Sequence, residues 1–123
     1  MDEYSDRTTT VDELKEMVTQ FCTEMDWKKF HNAKDLSMGI GIEAGELMEI
    51  FRWKNPEQIK EIFQDDSKRE HISHELADIL YFLLRFSDEY DIDLSESLRS
   101  KMEHNRKKYP VEKFKGSDKK YDE

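Results

Sequence analysis

Apolar residues along this chain recur at steps of three and four, the period of a helix with one buried face. Leu14, Met17, Val18 and Phe21 predict a first helix to about Met25, opened by a capping box of Thr10 and Glu13. Leu36, Ile40, Leu47 and Ile50 predict a second, starting with Asn32 and Asp35 and carried to about Arg52. A strand from Gly39 to Ile42 is the rival for that stretch, but the run is short and the pattern after it is helical. Asn55 before Pro56 restarts the chain as a short helix to about Phe63. Ser67 and Glu70 form a further capping box and predict a long helix over about 68–90, apolar nearly all round from Leu76 to Leu84 except at Asp78. Asp93 and Glu96 begin a last helix through about Lys107, stopped by Tyr109 and Pro110. Strand signals and internal repeats are lacking. The expected fold is all-α: an antiparallel bundle of four main helices plus a short connecting helix, completed by oligomerisation. The expected organisation is a disordered N-terminus over residues 1–9, one all-α domain over 10–110 and a basic tail over 111–123.

The pattern breaks where it should be strongest. Glu43 falls inside the apolar stripe between Ile40 and Leu47, with Glu46 one turn on. Glu75 and Asp78 repeat the break among Ile72, Leu76, Ile79, Leu80 and Leu83. Spacing alone proves nothing: with 29 acidic residues in 123, about seven acidic pairs three apart are expected by chance, and the chain holds that number. Surroundings separate these two pairs from the rest. A carboxylate on a buried face is costly unless something positive meets it. The readings open at this point are a shared metal site and partly exposed acids at a bundle edge.

Composition sharpens both. The chain is 40% charged and 36% hydrophobic with 4 Gly and 2 Pro, which suits helices with solvated outer faces. Three of those glycines, Gly39, Gly41 and Gly45, lie within the second helix, each costing about 1 kcal/mol against alanine unless a backbone or ligand comes close. The net charge of −9 divides into −12 over residues 1–100 and +3 over residues 101–123. An acidic body argues against binding a nucleic-acid backbone, while the basic end could hold the phosphates of a small ligand or be a solvated terminus. Cys22 is the single cysteine, so no intrachain disulfide is possible. No apolar run approaches the ~20 residues of a membrane span, and nothing at the N-terminus has the form of a signal peptide. A cytoplasmic protein without a membrane partner is expected.

Four carboxylates without a cysteine pair or clustered histidines make a hard oxygen site that suits Mg²⁺, with Mn²⁺ as the other candidate. His71 and His74 lie close to Glu75 but read as polar-face residues near a helix start. Mg²⁺ held by carboxylates is usually completed by substrate phosphates, which points to hydrolysis of a nucleotide or polyphosphate, with Lys101, Arg106 and Lys107 available as cations. The aromatic connection Trp27-Lys28-Lys29-Phe30-His31-Asn32 is either core filling or a lid over a planar ligand.

Glu43-Ala-Gly-Glu46, a spacer and Glu75-Leu-Ala-Asp78 resemble the two-part acidic signature of the MazG-like all-α nucleoside triphosphate pyrophosphohydrolases. Trp27, Phe30, His31, the 43–53 and 75–84 blocks, Lys101 to Asn105, Tyr109-Pro110 and Lys120-Tyr121 look closest to the dCTP pyrophosphatase branch. The resemblance implies Mg²⁺-dependent hydrolysis of a nucleoside triphosphate, dCTP or a modified dCTP, to the monophosphate and pyrophosphate. It implies Glu43, Glu46, Glu75 and Asp78 as metal ligands, with one of them or Glu49 activating water. It further implies His31, Trp53 and Trp27 against the base, Lys101, Asn105 and Tyr109 at sugar and phosphates, and a homodimer or homotetramer. Phe82 joins the substrate set where that branch carries a tyrosine, and residues 54–70 also differ, so base and sugar preference stay open. The alternatives are a hydrolase of dUTP or another triphosphate, and a non-catalytic helical oligomerisation or adaptor module whose inward acids pair with lysine or arginine across an interface.

Overall fold

The computed structural model describes residues 3–116. Among these residues all regular structure is helical: α1 (Val11–Glu24), a 3-10 turn (Lys28–Phe30), α2 (Ala33–Phe51), α3 (Pro56–Gln64), α4 (Asp66–Glu89), α5 (Leu94–Lys108) and α6 (Val111–Phe114). The chain forms two compact units divided between Asp91 and Ile92, inside the stretch expected as one domain. The first unit holds α1 to α4; the second holds α5 and α6. No helix among the described residues is long and apolar enough to cross a membrane.

Local signals set most helix starts. Thr10 and Glu13 make the capping box of α1, Asn32 accepts the Asp35 N–H at 2.9 Å, Asn55 and Gln58 cap α3 reciprocally, and Asp93 accepts the Glu96 N–H at 2.8 Å. At α4 the expected cap is displaced. Asp65, not Ser67, accepts the Lys68 N–H at 3.1 Å, and the helix starts two residues early. An ionised carboxylate complements the helix N-terminus better than a hydroxyl, so the first competent residue takes the cap. Residues 5–9, expected to be disordered, form a turn in which the Thr9 N–H donates to the Ser5 carbonyl at 2.9 Å. The expected basic tail contains α6, whose Phe114 packs edge-on against Tyr109.

In the first unit α4 is the hub, touching α1, α2 and α3, and its pairing with α2 is the most extensive. The two run antiparallel. The Ala33 N–H donates to the Tyr90 hydroxyl at 2.7 Å, Gly39 meets Phe82, and Glu43 meets Glu75 and Asp78, so numbers rise on one helix as they fall on the other. Gly39 makes that approach possible: a Cβ there would sit 2.6 Å from the Phe82 ring. Gly41 and Gly45 have no neighbour within 4 Å among the described residues, so the close approach expected at three glycines occurs within the chain at one.

Among the described residues the buried apolar set is small: Cys22, Leu36, Ile62, Ile72 and Leu84. The stretch Leu76–Leu84 is not buried on several sides as expected, because Leu76, Leu80 and Leu83 share an exposed face. Replacing Gly39 with alanine must push the Phe82 ring aside. Overpacking of this kind costs about 1–3 kcal/mol and outweighs the ~1 kcal/mol gained in helix propensity. Urea melts of G39A are expected to show lower stability than the native chain.

Candidate functional site

The antiparallel α2–α4 contact lays one row of side chains against another. On α4, Glu75, Asp78, Phe82 and Arg85 follow steps of three and four, hence one face. On α2, Asp35, Gly39, Glu43 and Glu46 do the same. The shared stripe therefore has acids at one end, the Gly39–Phe82 contact in the middle and Arg85 at the other. Asp78 and Arg85 are seven residues apart, about 10 Å along the axis.

At the acidic end, one carboxylate oxygen from each of Glu43, Glu75 and Asp78 lies within 4.8 Å of the others. Glu43 is half-buried, and the Glu75 side chain is 12% exposed. Oε2 of Glu43 and Oε2 of Glu75 are buried without a hydrogen-bond partner. The titration of Glu43 is pushed above its ordinary range by burial first, then by a proton shared with the Glu46 carboxyl and by the charges of Glu46, Asp78 and Glu75. Every neighbouring charge felt by Glu43 is negative. Unpartnered buried acceptors are rare in folded chains because each forfeits its hydration. A cluster of hard oxygen donors with two such orphans fits a divalent cation of the Mg²⁺ type. His71 approaches Glu75 from the solvent side, with Nε2 3.8 Å from Oε1.

The remaining sequence candidates separate by position. Glu49 does not join the cluster; it is exposed and pairs with Arg52 at 3.4 Å. It lies one helical turn beyond Glu46, nearer the C-terminus of α2. Trp53 follows the α2 C-terminus at a left-handed φ of 65°, is 85% exposed and lies beside Arg52, whose guanidinium carbon is 4.8 Å from its ring centre. Trp27 packs edge-on against Phe21 yet keeps an open face, so the aromatic connection is partly core and partly exposed. Phe82 is half-buried against Gly39 and packs edge-on to Tyr81. Lys101 and Asn105 lie on α5 of the second unit, and Tyr109 is its C-cap. Lys120 and Tyr121, which also carried the resemblance, lie outside the described residues.

Arg85 is the residue that sequence reasoning missed. It is fully buried, and its guanidinium donates from Nε to His31 Nδ1 (3.2 Å), from Nη1 to Thr19 Oγ1 (3.4 Å) and Asp88 Oδ2 (3.5 Å), and from Nη2 to Glu89 Oε2 (3.0 Å). The Thr19 hydroxyl in turn donates to Asp88 Oδ2 at 2.6 Å. The network joins α1, the segment after the 3-10 turn and α4. His31 is held below the ordinary histidine range by burial and then by the Arg85 charge, against smaller opposing effects of Glu89 and Asp35. A signal existed in the sequence: Arg85 is the first charge after the apolar run from Ile79 to Leu84, on the same face as Asp78.

Residues 38–123 match the MazG-like family. The chain is similar to dCTP pyrophosphatase 1 of Bos taurus, 33% identical over 91% of this chain and 66% of the relative. The human dCTP pyrophosphatase 1 is 31% identical over 93% of this chain and 67% of its own length. The chain thus spans about two thirds of these curated relatives. Among solved structures, a pyrophosphatase from Archaeoglobus fulgidus superposes with a TM-score of 0.75 at 31% identity, covering 89% of this chain and 98% of that one.

A folded titration raised above the usual 4.5 means that the fold prefers Glu43 protonated. The stability this contributes is fully present below pH 4.5 and is lost as pH rises through the raised value. Thermal melts in chelator are expected to fall towards neutral pH. The E43Q variant should flatten that fall and melt a few degrees higher than the native chain at neutrality.

Proposed function

The chain belongs to the MazG-like family, and from this we propose that it hydrolyses a nucleoside triphosphate of the dCTP type between its α- and β-phosphates. One water is consumed, and the monophosphate and pyrophosphate leave. The observation that carries the reading is the pair of orphaned buried oxygens on Glu43 and Glu75, set among acids with no cation acting on Glu43.

In this reading Glu43, Glu75 and Asp78, with Glu46 at the rim, hold Mg²⁺ or Mn²⁺. When bound, such a cation supplies Lewis-acid polarisation of a phosphoryl oxygen. Glu46, one turn from Glu43 on α2, would orient the attacking water and take its proton. Glu49 is the less favoured base, since it is solvated and engaged with Arg52. His31, Trp53, Trp27 and Phe82 would contact the nucleoside, and Lys101, Asn105 and Tyr109 its sugar and phosphates.

We also propose that the active form is a homodimer or homotetramer. Met38, Gly41, Ile42, Gly45 and Met48 form an exposed stripe on the side of α2 turned away from α4. Gly45, Met48, Phe51 and Arg52 line an open apolar groove beside it. A second copy is the occupant this reading assigns, since it would supply the apolar cover that the small core of one chain lacks.

Incubation with dCTP and Mg²⁺ is expected to release pyrophosphate, and chelator to stop it. E43Q and D78N should keep the helical spectrum and lose activity by more than the ~10–100-fold typical of changes behind a metal's direct ligands. Release of inorganic phosphate, or full activity in both variants, would overturn the reading; a panel with dUTP and the other triphosphates ranks the bases. Placing a charge at the centre of the exposed stripe, as in I42E, is expected to lower the mass seen by light scattering to that of one chain.

A further inference from the structure

Arginine carries five N–H donors and no acceptor, and its charge is permanent in proteins. The atom that Arg85 Nε faces at 3.2 Å, His31 Nδ1, must therefore accept and cannot carry a proton. A neutral imidazole has one proton, so it resides on Nε2. The guanidinium cannot turn away to accommodate the other tautomer. Its side chain is fully buried, and the rest of its fork is engaged by Thr19 from α1 and by Asp88 and Glu89 from α4. Among the described residues His31 Nε2 has no hydrogen-bond partner, so its N–H is available to a ligand.

We propose that Arg85 is a positioning residue that locks His31 as the Nε2–H tautomer, so that the chain offers a hydrogen-bond donor of fixed sense to an acceptor atom on a nucleobase. The part concerning the base rests on the triphosphate reading above. Spacing supports it. Arg85 stands two turns from Asp78 on one face of α4, about 10 Å along the axis. That is comparable to the reach of a nucleoside from its α-phosphate to the far edge of its base. Cytosine presents acceptors at both O2 and N3, whereas N3 of uracil and thymine carries hydrogen. A histidine free to swap tautomers would accept from that hydrogen as readily as it donates; a locked one cannot. The groups facing His31 are Arg85 and Glu89 from α4 and Asp35 from α2, and the charge in contact with Nδ1 is the guanidinium.

The test is a long-range nitrogen–proton correlation spectrum of the histidine rings in the native protein at neutral pH. His31 is expected to show the neutral Nε2–H pattern, and in R85M that pattern should collapse to averaged tautomers. Addition of dCMP with Mg²⁺ should move the His31 Nε2 resonance. In turnover, R85M and H31F are expected to raise KM for dCTP about tenfold, the scale of one hydrogen bond, with kcat changed far less. H31Q, whose amide N–H can stand in for Nε2–H, should recover part of the loss, and H31N should not. A native His31 that is an Nδ1–H tautomer or an imidazolium overturns the proposal, and this holds even if R85M fails to fold. An Nε2–H tautomer whose resonance ignores dCMP while dCTP is still hydrolysed overturns the base contact and leaves the triphosphate reading standing. Absence of hydrolysis removes that reading and with it the base contact, while the native spectrum still decides the lock.

Discussion

Like charges drawn together where two packed helices partly cover them are the constraint on which this structure depends. The contact between α2 and α4 could have been closed by aliphatic side chains along its whole length; instead it sets Glu43, Glu75 and Asp78 within a few ångströms of one another. Among the described residues, the charges acting on Glu43 are all negative. Repulsion and lost hydration both work against the helix pair at this end. The pair holds because the rest of its length is favourable: Leu36 and Leu84 are buried, the Phe82 ring seats on Gly39, and Tyr90 accepts the N–H of Ala33 near the start of α2. These contacts thereby hold the destabilised end together.

The opposite end of the stripe carries the reverse arrangement. Arg85 is a cation with no water around it, yet each arm of its fork meets an oxygen or nitrogen acceptor, and Asp88 and Glu89 supply the countercharge from the next turn of the same helix. A buried ion with its hydrogen bonds complete makes a stiff joint between α1, the His31 segment and α4. One helix thus carries a site whose charge is unsettled and, two turns on, one whose charge is fully settled.

Exposure on the outside of α2 and α4 has the same logic. A chain of this size that devotes its central helix pair to polar chemistry has few positions left for apolar burial, and only a handful of its hydrophobic residues are sealed. The glycines and methionines on the outer side of α2 and the leucines at 76, 80 and 83 on α4 remain in contact with solvent.

The all-α class, the sequence of long and short helices and the caps at Thr10, Asn32, Asn55 and Asp93 were legible in the residues, because helix starts and amphipathic faces are set by neighbours three and four apart. The acidic pairs were legible too, as interruptions of an apolar stripe. The cap of α4 falls to Asp65 rather than to Ser67 two positions on, a contest of local strengths that spacing does not rank. Other features are relations across the fold. Gly39 of the three helical glycines meets an aromatic ring because only its position opposes Phe82 in the antiparallel register. Glu49 drops out because it is exposed and paired with Arg52 nearer the end of α2, and Arg85 is buried because three segments converge on it. By itself the sequence determined which faces its helices would have; only tertiary packing decided which faces meet, since burial and charge pairing are properties of distances that no linear spacing contains.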